Sequence, residues 1–222
     1  MATARADARA TLYGCKRCGS AAVEMALAVA GLPYRHVTVW SQKKTKALEA
    51  LHRVNPLGQV PTLVFPDGTV MSESAAILIE LGLRHPQSGL LSSTPAERAR
   101  QIRGLVYIAA NCYAAIGVLD FPERWHPEPD TATKDAMRAR GRQSLHGLWA
   151  VFADQFHDPA RPWLSGERLG ALDILAAVVS RWSGARAALA ASRPAFAARL
   201  EAIDADPSVA EVAARHWGTD RA

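Results

Sequence analysis

The sequence predicts two successive parts, a small mixed α/β domain over 11–84 and an all-α domain over 95–222. Three observations carry that reading. Short apolar runs alternate with helical spacing in the order β-α-β-α-β-β-α as far as residue 84. A stretch with Pro86, Gly89, Ser92 and Ser93 then marks 85–94 as a linker. Beyond it, apolar residues recur at helical spacing and no convincing strand follows.

The elements follow in order. Leu12-Tyr13 and their neighbours read as a first strand. Ala22, Met25, Ala26 and Val29 fall at i, i+3, i+4, i+7, and Gly31-Leu32-Pro33 stops that helix. Tyr34 to Trp40 alternates as a second strand. Ala47 to Val54 is a short helix ended at Asn55-Pro56. Residues 62–71 form a hairpin around Pro66-Asp67-Gly68, and a helix runs from Ser74 to Leu83. In the second part Ile102, Leu105, Val106 and Ala109 share a helical face. So do Leu145, Leu148, Trp149, Phe152 and Phe156, and Val209, Val212 and Ala213. Residues 1–10 read as a frayed tail, with no apolar core of a signal peptide.

Composition narrows the function. At 222 residues, 49% hydrophobic and 21% charged, the chain can bury ample core. The longest apolar runs, such as Ile174 to Val179, fall short of a membrane span. Three cysteines, two of them three apart, do not make a secreted disulfide framework, and a reducing cytoplasm fits better. The net charge of +5 is dispersed, with Lys43-Lys44-Thr45-Lys46 the one cluster. No helix carries a basic stripe with interleaved aromatics, so a small anionic ligand is expected rather than nucleic acid.

Residues 59–74 are the most informative. Pro61 stands at the mouth of an apolar strand, where proline is tolerated and a cis bond costs little. A cis Val60-Pro61 bond turns the Val60 backbone outward, toward an extended peptide. Glu73 and Ser74 open a helix whose free N–H groups and dipole can hold a carboxylate. The alternative for this pair is plainer: a first-turn acid and an N-cap.

Asn55-Pro56-Leu57-Gly58-Gln59-Val60-Pro61 with Glu73-Ser74-Ala75-Ala76-Ile77 resembles the glutathione-binding half of a glutathione transferase. The order of elements matches the thioredoxin fold. The stretch Trp163 to Ile174 resembles the family's buried N-capping signature, with Gly170 departing at the cap and Asp173 retained. The resemblance spans about 11–217. It implies a thioredoxin-like glutathione-binding domain over 11–84, an all-α domain over 95–222 and a cytoplasmic homodimer. Glutathione is then a co-substrate, held by Gln59, Val60, Pro61, Glu73 and Ser74, with no other cofactor and no metal. The implied activity is conjugation, the attack of the glutathione thiolate on a small electrophile in detoxification. Lys43, Lys44 and Lys46 face the glycyl end of glutathione in the family, and a solvated face is the equal alternative.

The family keeps its thiol-activating group after the first strand, here in Tyr13-Gly14-Cys15-Lys16-Arg17-Cys18-Gly19-Ser20. Five residues on from the tyrosine, Cys18 falls where beta-type members keep a cysteine and theta-like members a serine. Ser20 can donate to a thiolate or cap the helix. Tyr13 aligns with the catalytic tyrosine of pi-type enzymes, with strand packing as its other role. Cys15 and Cys18 also form a C-x-x-C pair, so a glutathione-dependent thiol transferase or reductase on a disulfide substrate is an alternative activity. Lys16, Arg17 and a helix N-terminus are expected to favour the Cys18 thiolate. A non-catalytic binding protein on the same scaffold is the rival of another class. Tyr107, Tyr113 and Trp125, with Phe121, are the aromatics available for a second-substrate pocket. Cys112 reads as inert core.

Overall fold

The computed structural model describes residues 9–40 and 44–218. Most of the expected tail, 1–10, and Lys43 lie outside the described residues. The chain divides into two compact units, one of 1–91 with 206–221, the other of 92–205.

The first unit runs β1 (Ala10–Gly14), α1 (Ser20–Val29), β2 (Tyr34–Thr38), α2 (Lys46–Val54), β3 (Thr62–Val64), β4 (Val70–Ser72) and α3 (Ser74–Arg84). The sheet order is β2-β1-β3-β4. Strand β1 is parallel to β2 and antiparallel to β3, and β3 is antiparallel to β4. This is a thioredoxin-like arrangement. Strand β1 is central, and Leu12 and Tyr13 are buried on opposite sides of its pleat. Tyr13 packs with Val39 and with Leu51 of α2. That helix begins at Thr45, whose hydroxyl accepts the Leu48 N–H at 3.2 Å. Helix α1 is alanine-rich and buried along Ser20–Leu27, where small side chains allow close approach to α3.

The helical unit contains α4 (Pro95–Tyr107), a π-helical turn (Ile108–Cys112), α5 (Tyr113–Asp120), α6 (Thr131–Phe156), α7 (Ala171–Val179), α8 (Ala185–Ser192) and α9 (Pro194–Ala205). Trp149, Phe152, Phe156 and Phe196 fill its core, with the Phe152 and Phe156 rings stacked at 4.7 Å. Asp173, fully buried in the first turn of α7, accepts the N–H groups of Leu164 (2.7 Å), Ser165 (3.0 Å) and Gly170 (3.1 Å). Gly170 has no side chain to return the bond, so half of a capping box remains. The π turn joins α4 to α5 as one 26-residue rod, Pro95–Asp120, long and apolar enough to cross a membrane by those two measures. The expectation that apolar runs are too short missed it, because charges in its first turns break the run. Gln101, Leu105, Ile108 and Cys112 on this rod are buried in the helical unit.

The last helix, α10 (Pro207–Trp217), groups with the first unit, whereas the sequence reading assigned 95–222 to the all-α domain. It packs on α1, and polar side chains link the two helices: His216 Nε2 lies 2.8 Å from Glu24 Oε1.

Candidate active site

Strand register builds the site. Tyr13 pairs with Thr62, and Thr62 with Ser72. The loop leaving β1, the loop entering β3 and the turn leaving β4 therefore meet at one end of the sheet, about 5 Å apart from strand to strand. The first carries Cys15 and Cys18, the second Gln59-Val60-Pro61, and the third Glu73-Ser74.

In the first loop, Ser20 is fully buried and its Oγ organises the turn. It accepts the Cys15 N–H at 3.2 Å, lies 3.1 Å from the Cys15 carbonyl and sits 3.2 Å from Cys18 Sγ. As a thiol, Cys18 can donate to the Cys15 carbonyl at 3.0 Å. As a thiolate, it can accept the Ser20 hydroxyl hydrogen. A hydrogen bond from the Cys15 thiol, opposed by burial and joined by the Ser20 hydroxyl and N–H, brings the Cys18 thiol down to about 6. The same bond to Cys18, burial and the Cys18 charge hold Cys15 far up, as a thiol. Hydrogen bonding in the loop thus favours the thiolate at Cys18 over Cys15. Lys16 and Arg17 are exposed, with Arg17 Nε turned to the His216 carbonyl, and hydrogen bonding rather than their charge lowers Cys18. Gly14 lets this turn close: a Cβ there would stand 2.5 Å from Ser20 Oγ and 2.9 Å from His36 Nε2.

In the second loop the Val60-Pro61 bond is cis, as read from the sequence. Two side chains missed in the sequence hold it. Buried Asn55 donates from Nδ2 to Thr62 Oγ1 (2.9 Å) and to the Gln59 carbonyl (3.3 Å), and its Oδ1 accepts the Leu57 N–H (3.1 Å). Thr62 donates to the same Gln59 carbonyl at 2.8 Å. Val60 stands just upstream of the ladder, and the Gln59 side chain is exposed. In the third segment Glu73 is exposed at φ +63°, and Ser74 is buried as the first residue of α3. The first-turn N–H groups of α3 lie beyond the reach of its own carbonyls.

The comparisons with known proteins agree with this geometry. A sequence profile for the glutathione S-transferase N-terminal domain matches residues 20–83. The GST-like protein YncG of Escherichia coli K12 is 33% identical over 176 residues, covering 77% of this chain and 80% of that protein. The chain belongs to the glutathione S-transferase family. A maleylacetoacetate isomerase of Pseudomonas aeruginosa is 29% identical over 194 residues, 78% of this chain and 87% of that protein. A Sulfitobacter glutathione transferase homologue, solved with bound glutathione, superposes with a TM-score of 0.79 at 26% identity. That match covers 94% of this chain and 99% of the other.

Tyr13 is 8% exposed and committed to the Val39–Leu51 core, because the pleat turns it toward α2. Among the described residues no ring contact joins Tyr107, Tyr113 and Trp125. Tyr107 is half-buried, packs on Phe152 and Phe156, and donates its hydroxyl to the Leu148 carbonyl at 2.9 Å, so it lies against the helical core. Tyr113 meets Trp182 edge-on, and Trp125 is 61% exposed. Phe121 is 40% exposed, with the Arg124 guanidinium over its ring. Cys112 is fully buried, and burial pushes its thiol up to about 12. Lys44 and Lys46 are exposed near the start of α2.

Proposed function

We propose that this protein binds glutathione and that Cys18 exchanges disulfides with it. The observation that carries the proposal is the Cys15–Cys18–Ser20 turn, which sets the Cys18 sulfur 3.0 Å from the Cys15 carbonyl and 3.2 Å from the Ser20 hydroxyl, with hydrogen bonding that favours its thiolate. The Val60 main chain pairs with the extended tripeptide. The α3 N-terminus at Ser74 holds a carboxylate and Glu73 its neighbouring ammonium group. In the first step the Cys18 thiolate attacks a glutathione mixed disulfide. A Cys18–glutathione bond forms and the substrate thiol leaves as thiolate to take up a proton. In the second step a glutathione thiolate attacks that bond, releasing oxidised glutathione and the Cys18 thiolate.

Conjugation is a second reading, favoured by the family and by the proximity of Cys18 and Ser20. Here a Cys18 thiol donates to bound glutathione thiolate, which attacks an electrophile. Cys18→Ser separates the two: disulfide exchange is lost, whereas conjugation survives through the hydroxyl. Retention on immobilised glutathione, weakened by Glu73→Ala, tests the binding half, and absence of binding by calorimetry would favour a non-catalytic protein. We extend the proposal to a homodimer in a reducing, cytoplasmic setting; a monomer at micromolar concentration in light scattering would contradict the dimer.

A further inference from the structure

Helix α1 is buried along its first two turns and yet carries Glu24, 5% exposed. A buried carboxylate needs partners, and this one has four. His216 Nε2 is 2.8 Å from Oε1 and His36 Nε2 3.5 Å; Tyr34 donates its hydroxyl to Oε2 at 2.9 Å, and Arg215 Nη2 lies 3.5 Å from Oε2. Burial works against ionisation, but the hydrogen bond and charge of His216, then Tyr34 and His36, hold the carboxyl below its usual range.

The second nitrogen of His216 reaches the thiol loop. Its Nδ1 accepts the Arg17 N–H at 3.1 Å, and the His216 carbonyl accepts Arg17 Nε–H at 3.4 Å. An acceptor at Nδ1 places the imidazole hydrogen on Nε2, aimed at Glu24. Arg17 sits at φ +59°, which a residue with a Cβ seldom adopts unless its surroundings enforce it. It directly precedes Cys18, so its backbone angles set where the Cys18 side chain points.

We infer that His216, anchored by Glu24, is a positioning residue for the Cys18 sulfur: from 199 residues away it clamps the Arg17 backbone and so holds Cys18 against the Cys15 carbonyl and Ser20. This rests on the reading of Cys18 as the reactive thiol. His216 touches no reacting atom. It acts through the turn and brings the C-terminal helix into the active-site architecture.

Two substitutions separate positioning from bulk packing. In His216→Asn the Oδ1 takes the place of Nδ1 and can still accept from Arg17. In His216→Gln the side chain reaches Glu24 but offers no acceptor beside Arg17. The full-length protein and both variants are alkylated with iodoacetamide between pH 5 and 9, and modification at Cys18 is quantified by peptide mass mapping. His216→Gln should raise the midpoint of the Cys18 profile by about one unit, a tenfold change in its ionisation constant, while His216→Asn keeps most of the original midpoint. A reactive Cys18 with the same profile in all three proteins would overturn the clamp. So would equal shifts in both variants that track their loss of thermal stability. If Cys18 of the unmodified protein is not the residue alkylated first, the functional reading itself fails, a result distinct from either.

Discussion

Ser20→Ala removes the one hydroxyl that touches both ends of the Cys15–Cys18 turn. A hydrogen bond to a charged group contributes about 1.5–3 kcal/mol, and 1.36 kcal/mol is one pKa unit, so the Cys18 midpoint should rise by about 1–2 units. From a starting value of about 6, the variant should titrate near 7–8. Rate follows thiolate fraction multiplied by intrinsic nucleophilicity, and nucleophilicity climbs with pKa at a Brønsted slope of about 0.4–0.5. The two effects oppose each other and give a two-sided signature. At pH 5 the variant should alkylate about 3–10-fold more slowly than the parent, and at pH 9 about 3–8-fold faster. The assay is the iodoacetamide rate at Cys18, read by mass mapping on protein whose fold is checked by circular dichroism. The substitution also leaves the Cys15 N–H without its partner, at about 1–3 kcal/mol, so the melting temperature should drop by a few degrees. Superimposed profiles would refute the role given to Ser20. A variant slower at both ends of the range would show that access, and not ionisation, had changed.

Three further outcomes follow from the structure. Asp173→Ala strands three buried N–H groups and should cost at least about 3 kcal/mol in denaturant unfolding, whereas Asp173→Asn, which keeps an acceptor, should cost less. Asn55→Ala frees the Gln59–Thr62 loop; stability should fall by about 1–3 kcal/mol, and glutathione should bind more weakly by calorimetry, with Cys18 alkylation unchanged. Stability of the reduced protein should depend on pH with a change of sign. The depressed Cys18 makes the folded state gain stability as pH rises from about 6 to the unfolded value near 8.5. Above about 8.5 the raised Cys15 and Cys112 reverse it, because only the unfolded chain can release those protons. Cys18→Ser should remove the rising limb and shrink the falling one to the part that burial of Cys112 and Cys15 supports.

The first unit was legible because its signals are local. Helical spacing fixed α1 and α3, Pro66-Asp67-Gly68 the hairpin, and the apolar strand behind Pro61 the placement of the cis bond. The seven elements appear in the expected order, with ends shifted by a residue or two, where caps such as Thr45 decide. The features that were not legible depend on contacts between distant residues. Nothing in the spacing of Asn55 and Thr62 announces their bond, and nothing local links His216 to Arg17. Activation of Cys18 was misattributed for the same reason. Sequence shows that Lys16 and Arg17 are neighbours but not that Arg17 turns to the His216 carbonyl, nor that Ser20 is buried under the turn. The aromatics of the helical unit were ambiguous because Tyr113, within one step of an apolar stripe, fits a pocket or a core; in the structure it meets Trp182 edge-on, while Tyr107 packs against Phe152 and Phe156.

The central claim is that Cys18 is the sulfur that meets glutathione. The most direct measurement is the mass of the intact, reduced protein after incubation with oxidised glutathione near pH 7, followed by peptide mapping. The account predicts one glutathione bound through a disulfide at Cys18, released by excess reduced glutathione and absent in Cys18→Ser. An unmodified protein, or a glutathione carried on Cys15 or Cys112 with Cys18 free, would contradict it.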